Sequence, residues 1–130
     1  MRFLLDTHAF AWAVGDPDRL GDTATATLRE VDNELLVSPA SIWEMSIKHH
    51  LGKWPEVAPF MDEQLYGDFT ARLGVRELSI RTSHARLAGQ FNVDHPDPFD
   101  RMLAAQALLE GIPIISKDLA LDRFPVTRIW

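Results

Sequence analysis

The chain contains no cysteine, which excludes a disulfide framework and any thiolate metal site. It has no apolar run near the ~18 consecutive residues that span a bilayer, so no membrane partner is expected. The opening Met1-Arg2-Phe3-Leu4-Leu5-Asp6 turns acidic too early for a secretory signal. A soluble, cytoplasmic protein is the plain expectation. Positive charge is also short: 13 Lys and Arg face 19 Asp and Glu, a formal charge of -6. That balance argues against gripping nucleic acid through surface charge alone. It does not exclude a site whose bound metal ions supply positive charge that a residue count omits. Repeats, low-complexity tracts and linkers are absent too. With 130 residues and 46% apolar content, one domain spanning 1–130 with a real core is expected.

What is present is an alternation of short apolar runs and helical patterns. Phe3-Leu4-Leu5 and Glu34-Leu35-Leu36-Val37 read as strands buried on both faces. Val75 to Leu78, Pro113 to Ser116 and Val126 to Ile129 are further short strands. Between them, helices are expected from a cap at Thr7 through Val14, and from Asp22 to Val31. Others follow from Ser38-Pro39 to about Gly52, from Pro55 to Leu73, from Thr82 to about Gly89, and from Pro98 to Gly111. Residues 90 to 99 read as a polar, proline-containing loop. Strands alternating with helices predict an α/β fold: a parallel sheet of four to five strands between helical layers. Ligands in such sheets bind beyond the carboxyl ends of the strands.

Four acids occupy positions unsuited to surface decoration. Asp6 ends the first apolar run, and Asp118 follows Ile112-Pro113-Ile114-Ile115-Ser116. Glu44 lies within Ser41-Ile42-Trp43-Glu44-Met45-Ser46-Ile47, where no clean polar face contains it. Asp100 opens Asp100-Arg101-Met102-Leu103-Ala104-Ala105. Buried carboxylates are costly unless paired, protonated or bound to a cation. If the four converge, a divalent cation resolves their repulsion. Oxygen ligands without thiolate suit Mg²⁺ or Mn²⁺, ions that commonly serve phosphate chemistry.

At these residues the chain resembles PIN-domain ribonucleases, specifically the small VapC-like toxins of bacterial toxin–antitoxin pairs. Leu4-Leu5-Asp6-Thr7-His8 is similar to the family's opening motif. Ser41 to Lys48, followed by Gly52-Lys53, is similar to the second. His95-Pro96-Asp97-Pro98-Phe99-Asp100-Arg101-Met102 to Ala107 is the most specific match, and Ser116-Lys117-Asp118 is similar to the fourth. The fourth motif often carries Thr where Ser116 stands, so a hydroxyl is kept. The resemblance covers nearly the whole chain. It implies a PIN-like three-layer fold, a metal-dependent endoribonuclease site, an RNA substrate, a cognate antitoxin and a homodimer. By carry-over, Asp6, Glu44, Asp100 and Asp118 are the catalytic and metal-holding quartet. Thr7, Ser116 and Asp97 are candidates to support them, and Lys48, Lys53 and Arg101 to contact RNA.

Each acid also has a plainer reading. Asp6 suits a strand-end turn, Asp100 the positive end of a helix dipole, and Asp97 and Asp118 helix caps. Arg101 reads more simply as pairing with a neighbouring acid. His8 reads as a packed helix-start residue, His84 as a surface one, and His95 as part of the loop. His49 and His50 end a helix, where positive charge suits the dipole. Trp12, Trp43, Trp54 and Trp130 are able to stack bases, although Trp43 reads rather as core and Trp12 as core or dimer interface. Two other classes compete: a non-cutting RNA- or protein-binding module, which would be expected to lack some of the acids, and a phosphotransfer domain. The phosphatase pattern wants a second Asp two residues after the first, where this chain has His8.

Overall fold

A computed structural model describes all of residues 1–130. Five strands form one all-parallel sheet: β1 (Arg2–Leu5), β2 (Glu34–Val37), β3 (Val75–Glu77), β4 (Ile114–Ile115) and β5 (Arg128–Ile129), in the order β3-β2-β1-β4-β5. Six α-helices connect them: α1 (Thr7–Gly15), α2 (Asp22–Arg29), α3 (Pro39–His50), α4 (Glu63–Leu73), α5 (Thr82–Gln90) and α6 (Pro98–Glu110). Three 3₁₀ turns, at Pro17–Arg19, Pro55–Met61 and Leu119–Arg123, complete the chain. The expected α/β architecture is therefore present.

The unbroken apolar runs of β1, β2 and β4 have a structural reason: these central strands are buried on both faces. Phe3, Leu5, Leu35, Val37, Val75 and Ile115 point to one side, where Ala9, Phe10 and Ala11 of α1 and Met45 of α3 meet them. Leu4, Leu36 and Ile114 point to the other, against Leu103, Ala104 and Ala107 of α6. The period of two along each strand thus feeds two separate cores. α5 packs on α6 outside the second core. Gly74 and Gly111 close α4 and α6 with φ of 66°, a left-handed turn that favours glycine.

Local chemistry moves several expected boundaries. Asp6, not Thr7, caps α1: its Oδ1 accepts from the Ala9 amide at 2.7 Å. α2 begins after Gly21 without a side-chain cap and stops at Arg29. The segment expected as one helix from Pro55 to Leu73 is two pieces. Pro59 lacks the amide an α-helix needs, so the first piece is 3₁₀, and Asp62 then caps α4 through the Leu65 amide at 2.9 Å.

Three side-chain expectations are also corrected. Trp43 is 60% exposed rather than core. α3 buries Ala40, Ser41, Glu44 and Met45, and that stripe turns Trp43 outward, edge-on to Phe99 at 5.0 Å. His84 is buried, not a surface residue. Its Nδ1 accepts from the Arg81 amide at 2.9 Å, and its Nε2 lies 3.2 Å from Glu110 Oε1. Arg101 pairs with no acid. Its guanidinium donates to the carbonyls of Ala88, Phe91, Val93 and His95 at 2.6 to 3.2 Å. It organises the loop before α6 and is not free to meet phosphate.

Candidate active site

The chain runs β1, β2 and β3 outward in one direction, then returns to place β4 and β5 on the other side of β1. The strand order reverses between β1 and β4, and a crevice opens there at the carboxyl ends. Asp6 directly follows β1, and Asp118 lies three residues beyond β4. α6 contributes Asp97 and Asp100 from its first turn, while α3 contributes Glu44 from its interior. These residues, with Thr7, His8 and Lys48, line one cavity of about 180 Å³ that has no apolar wall. All four acids of the quartet thus reach the same hollow from four different segments.

Helix starts hold three of the acids. Asp6 caps α1, and Asp97 Oδ1 accepts from the Phe99 and Asp100 amides at 2.8 and 3.2 Å. Asp118 Oδ1 accepts from the Ala120 amide at 2.9 Å. The plainer cap readings are therefore realised alongside the shared cavity. Carboxylates at these ends also meet the positive poles of the helices.

Glu44 is held differently. The Thr7 hydroxyl donates to its Oε1 at 2.6 Å, and Lys48, one turn on, stands 2.7 Å from its Oε2. Ser41 Oγ is 3.1 Å from Thr7 Oγ1 and extends this buried network. Ser116 Oγ accepts from the Asp118 amide at 3.0 Å and its side chain also hydrogen-bonds Asp6. Thr7 and Ser116 thus touch the quartet, as the motifs suggest. Lys48 borders the cavity; Lys53 stands on the exposed turn beyond α3, away from it.

The electrostatics carry the mark of crowding. Asp6 is pushed up to about 6, first by burial and then by Asp100 and Glu44, against the opposing hydrogen bonds from Ser116 and Ala9. Asp100 is also pushed up to about 6, mainly by burial, with Asp97 and Asp118 adding to it and His95 opposing. His95 was readable in the sequence only as loop. Its Nε2 lies 2.8 Å from Asp100 Oδ2, and its position five residues before Asp100 was the sole signal. His8 is lowered by burial of its ring and by Lys48, and it stacks on Trp54 at 4.5 Å.

The donor set fits a hard divalent cation. Five carboxylates and one lysine face a polar hollow, and burial, with repulsion from the neighbouring acids, makes two of the acids resist ionising. As the side chains stand, no three His, Asp or Glu close around a single point. Their oxygens are instead engaged by Thr7, Lys48, His95 and the helix-start amides.

The PIN domain family matches residues 3–126. The chain belongs to the PIN-domain family. This PIN domain is 36% identical over 67 residues to Ribonuclease VapC16 of Mycobacterium tuberculosis. That stretch is 49% of this chain and 46% of the relative, so the match spans about half the relative's length. The fold is also that of VapBC2 from Rickettsia felis, solved bound to a DNA fragment from its promoter. There the TM-score is 0.70 at 13% identity, over 99% of this chain and 98% of that one. FitAcB from Neisseria gonorrhoeae aligns with a TM-score of 0.64 at 14% identity, over 98% and 96% of the two chains. No helix of this PIN domain is long and apolar enough to cross a membrane.

Proposed function

We propose that this PIN domain is a metal-dependent endoribonuclease, the toxin of a toxin–antitoxin pair, acting in the cytoplasm as a homodimer that a cognate antitoxin restrains. The observation that carries the catalytic reading is the convergence of Asp6, Glu44, Asp100 and Asp118 on one polar cavity at the sheet's switch point. The VapC16 likeness, and the fold shared with VapBC2 and FitAcB, support the toxin reading.

Asp6 and Asp118 would hold the principal Mg²⁺ or Mn²⁺, with Asp100 beside them. A bound ion supplies Lewis acidity at the phosphate and the positive charge this cavity lacks. The chain's own residues do the rest. Glu44, fixed by Thr7 and Lys48, orients an attacking water or holds a second ion. His95 Nε2, 2.8 Å from Asp100 Oδ2, holds that carboxylate in one orientation. Lys48 offers its ammonium to a phosphate oxygen once it leaves Glu44. Asp97 and Ser116 keep Asp100 and Asp6 in place through α6 and the hydroxyl contact.

The test is incubation of purified, antitoxin-free protein with a pool of structured and unstructured RNAs in Mg²⁺, Mn²⁺ or EDTA, beside Asp100→Asn. Cleavage that requires the metal and vanishes in the variant is expected. Folded protein that takes up no divalent ion and cuts nothing across the pool would move the assignment to a non-cutting binding module.

A further inference from the structure

We propose that the outer face of α1, together with Trp54 beside it, is a base-stacking track, which seats the nucleotides flanking the scissile phosphate of a single-stranded RNA on Trp12 and Trp54. The proposal rests on the ribonuclease reading and adds to it a binding subsite outside the acidic cavity.

Three hollows share walls. The acidic cavity shares Asp6, His8 and Asp118 with a second hollow of about 290 Å³ that Trp12 and Lys117 complete. Trp12 is also a wall of a third, of about 500 Å³, shared with Trp54 and Arg19. The shared walls follow from the helix: His8 and Trp12 are four residues apart and lie on one face of α1. The rings along this path are ordered and only partly buried. His8 stacks on Trp54 with 21° between planes, and Trp12 meets His8 at 5.5 Å.

Charge favours a nucleic acid as occupant. The chain is acidic overall, yet three of its 13 Lys and Arg gather on these two indoles. Arg19 lies 4.5 Å and Lys117 5.9 Å from the Trp12 ring centre, and Lys48 lies 5.5 Å from that of Trp54. The cations lie over the ring faces, and on moving from there to the phosphates they would leave those faces to the bases, which gives the parts of a single-strand track. A duplex keeps its bases stacked on one another and cannot offer them to these rings. Asp16 and Glu56 line the far hollow, so the cationic path ends near Arg19 and the track is short.

The test measures binding apart from cutting. The Asp100→Asn chain in Mg²⁺ is titrated with a short labelled single-stranded RNA and with an abasic strand of equal length, by fluorescence anisotropy. The base-bearing strand should bind at least about tenfold tighter, as one or two stacking contacts imply. Trp54→Leu should remove most of that preference, while Trp54→Phe should keep most of it. Equal affinity for the two strands overturns the proposal, and that comparison needs no substitution at the track. So does a preference that survives undiminished in a Trp54→Leu chain of unchanged unfolding temperature. Base-independent RNA binding, with tryptophan emission altered only by a peptide partner, would assign the rings to protein docking and overturn it too. Metal-dependent cleavage without base preference sinks this inference alone. Base-dependent binding without cleavage by the unsubstituted chain sinks the nuclease reading alone.

Discussion

Replacing Asp6 with Asn should make the metal-free protein more stable while removing its cleavage activity. The residue is 7% exposed and its pKa rises from 3.8 to about 6, with burial the largest cause. At ~1.36 kcal/mol per pH unit, that rise is worth up to about 3 kcal/mol of preference for a neutral group. The sign follows from linkage. Below pH ~4 the carboxyl is protonated in both folded and unfolded chains, and burial of its charge costs nothing. Between pH 4 and 6 the unfolded chain ionises first, and folding stability falls. Above pH 6 the folded chain carries the full penalty. Asn retains the acceptor for the Ala9 amide, so the α1 cap survives. For a chain of this size, 3 kcal/mol corresponds to a rise on the order of 10 °C in melting temperature at pH 7.5 in EDTA. At pH 4 the difference should shrink to near zero. Millimolar Mg²⁺ should raise the melting temperature of the parent chain but not of the variant. Scanning calorimetry across these conditions decides the matter. A variant that melts lower in EDTA at pH 7.5, or that gains equally at both pH values, would refute the view that Asp6 is a buried charge awaiting a cation.

Other substitutions probe the scaffold. Thr7→Val removes the hydroxyl at 2.6 Å from Glu44 and should cost about 1 to 3 kcal/mol, read from the urea midpoint, with cleavage falling at least tenfold. Gly21→Ala would bring a methyl 2.6 Å from the Trp130 ring and 2.8 Å from its backbone. The indole must shift, and a loss of about 1 to 3 kcal/mol is expected in chemical denaturation. Arg101→Met removes the donors to four loop carbonyls and should speed proteolysis between residues 88 and 97. The salt dependence of RNA binding should stay unchanged, because Arg101 neutralises no phosphate.

Legibility followed the range of the interactions. Strand runs such as Leu35-Leu36-Val37 read directly, because burial on both faces leaves no polar positions. Helix starts with proline, at Pro39 and Pro98, were equally plain. What sequence spacing could not convey was orientation. Trp43 lies in an apolar stretch, but the stripe of residues 40, 41, 44 and 45 decides which face enters the core. His84 and Arg101 were misread for a related reason: their partners, Glu110 and the carbonyls of residues 88 to 95, are set by how α5 and the loop pack on α6. At the site, all four acids of the quartet stood out in the sequence, whereas the His95 to Asp100 contact depends on how the 90–97 loop turns.

The cap and metal readings of an aspartate predict different consequences, and Asp118 separates them. Its Oδ1 caps the turn that starts at Leu119, and its carboxylate borders the shared cavity. Asn at this position keeps an oxygen for the Ala120 amide and removes the charge; Ala removes both. If Asp118 served only as a cap, Asp118→Asn would be nearly silent, and Asp118→Ala would cost about 1 kcal/mol in stability with activity following in proportion. If it serves the cavity as well, both variants should lose cleavage by a factor of a hundred or more, and only the alanine should lose stability. Cleavage rate and unfolding midpoint, measured on the same two preparations, distinguish the cases. An active Asp118→Asn would remove Asp118 from the quartet and leave the crevice between β1 and β4 with a single carboxylate from its own strands.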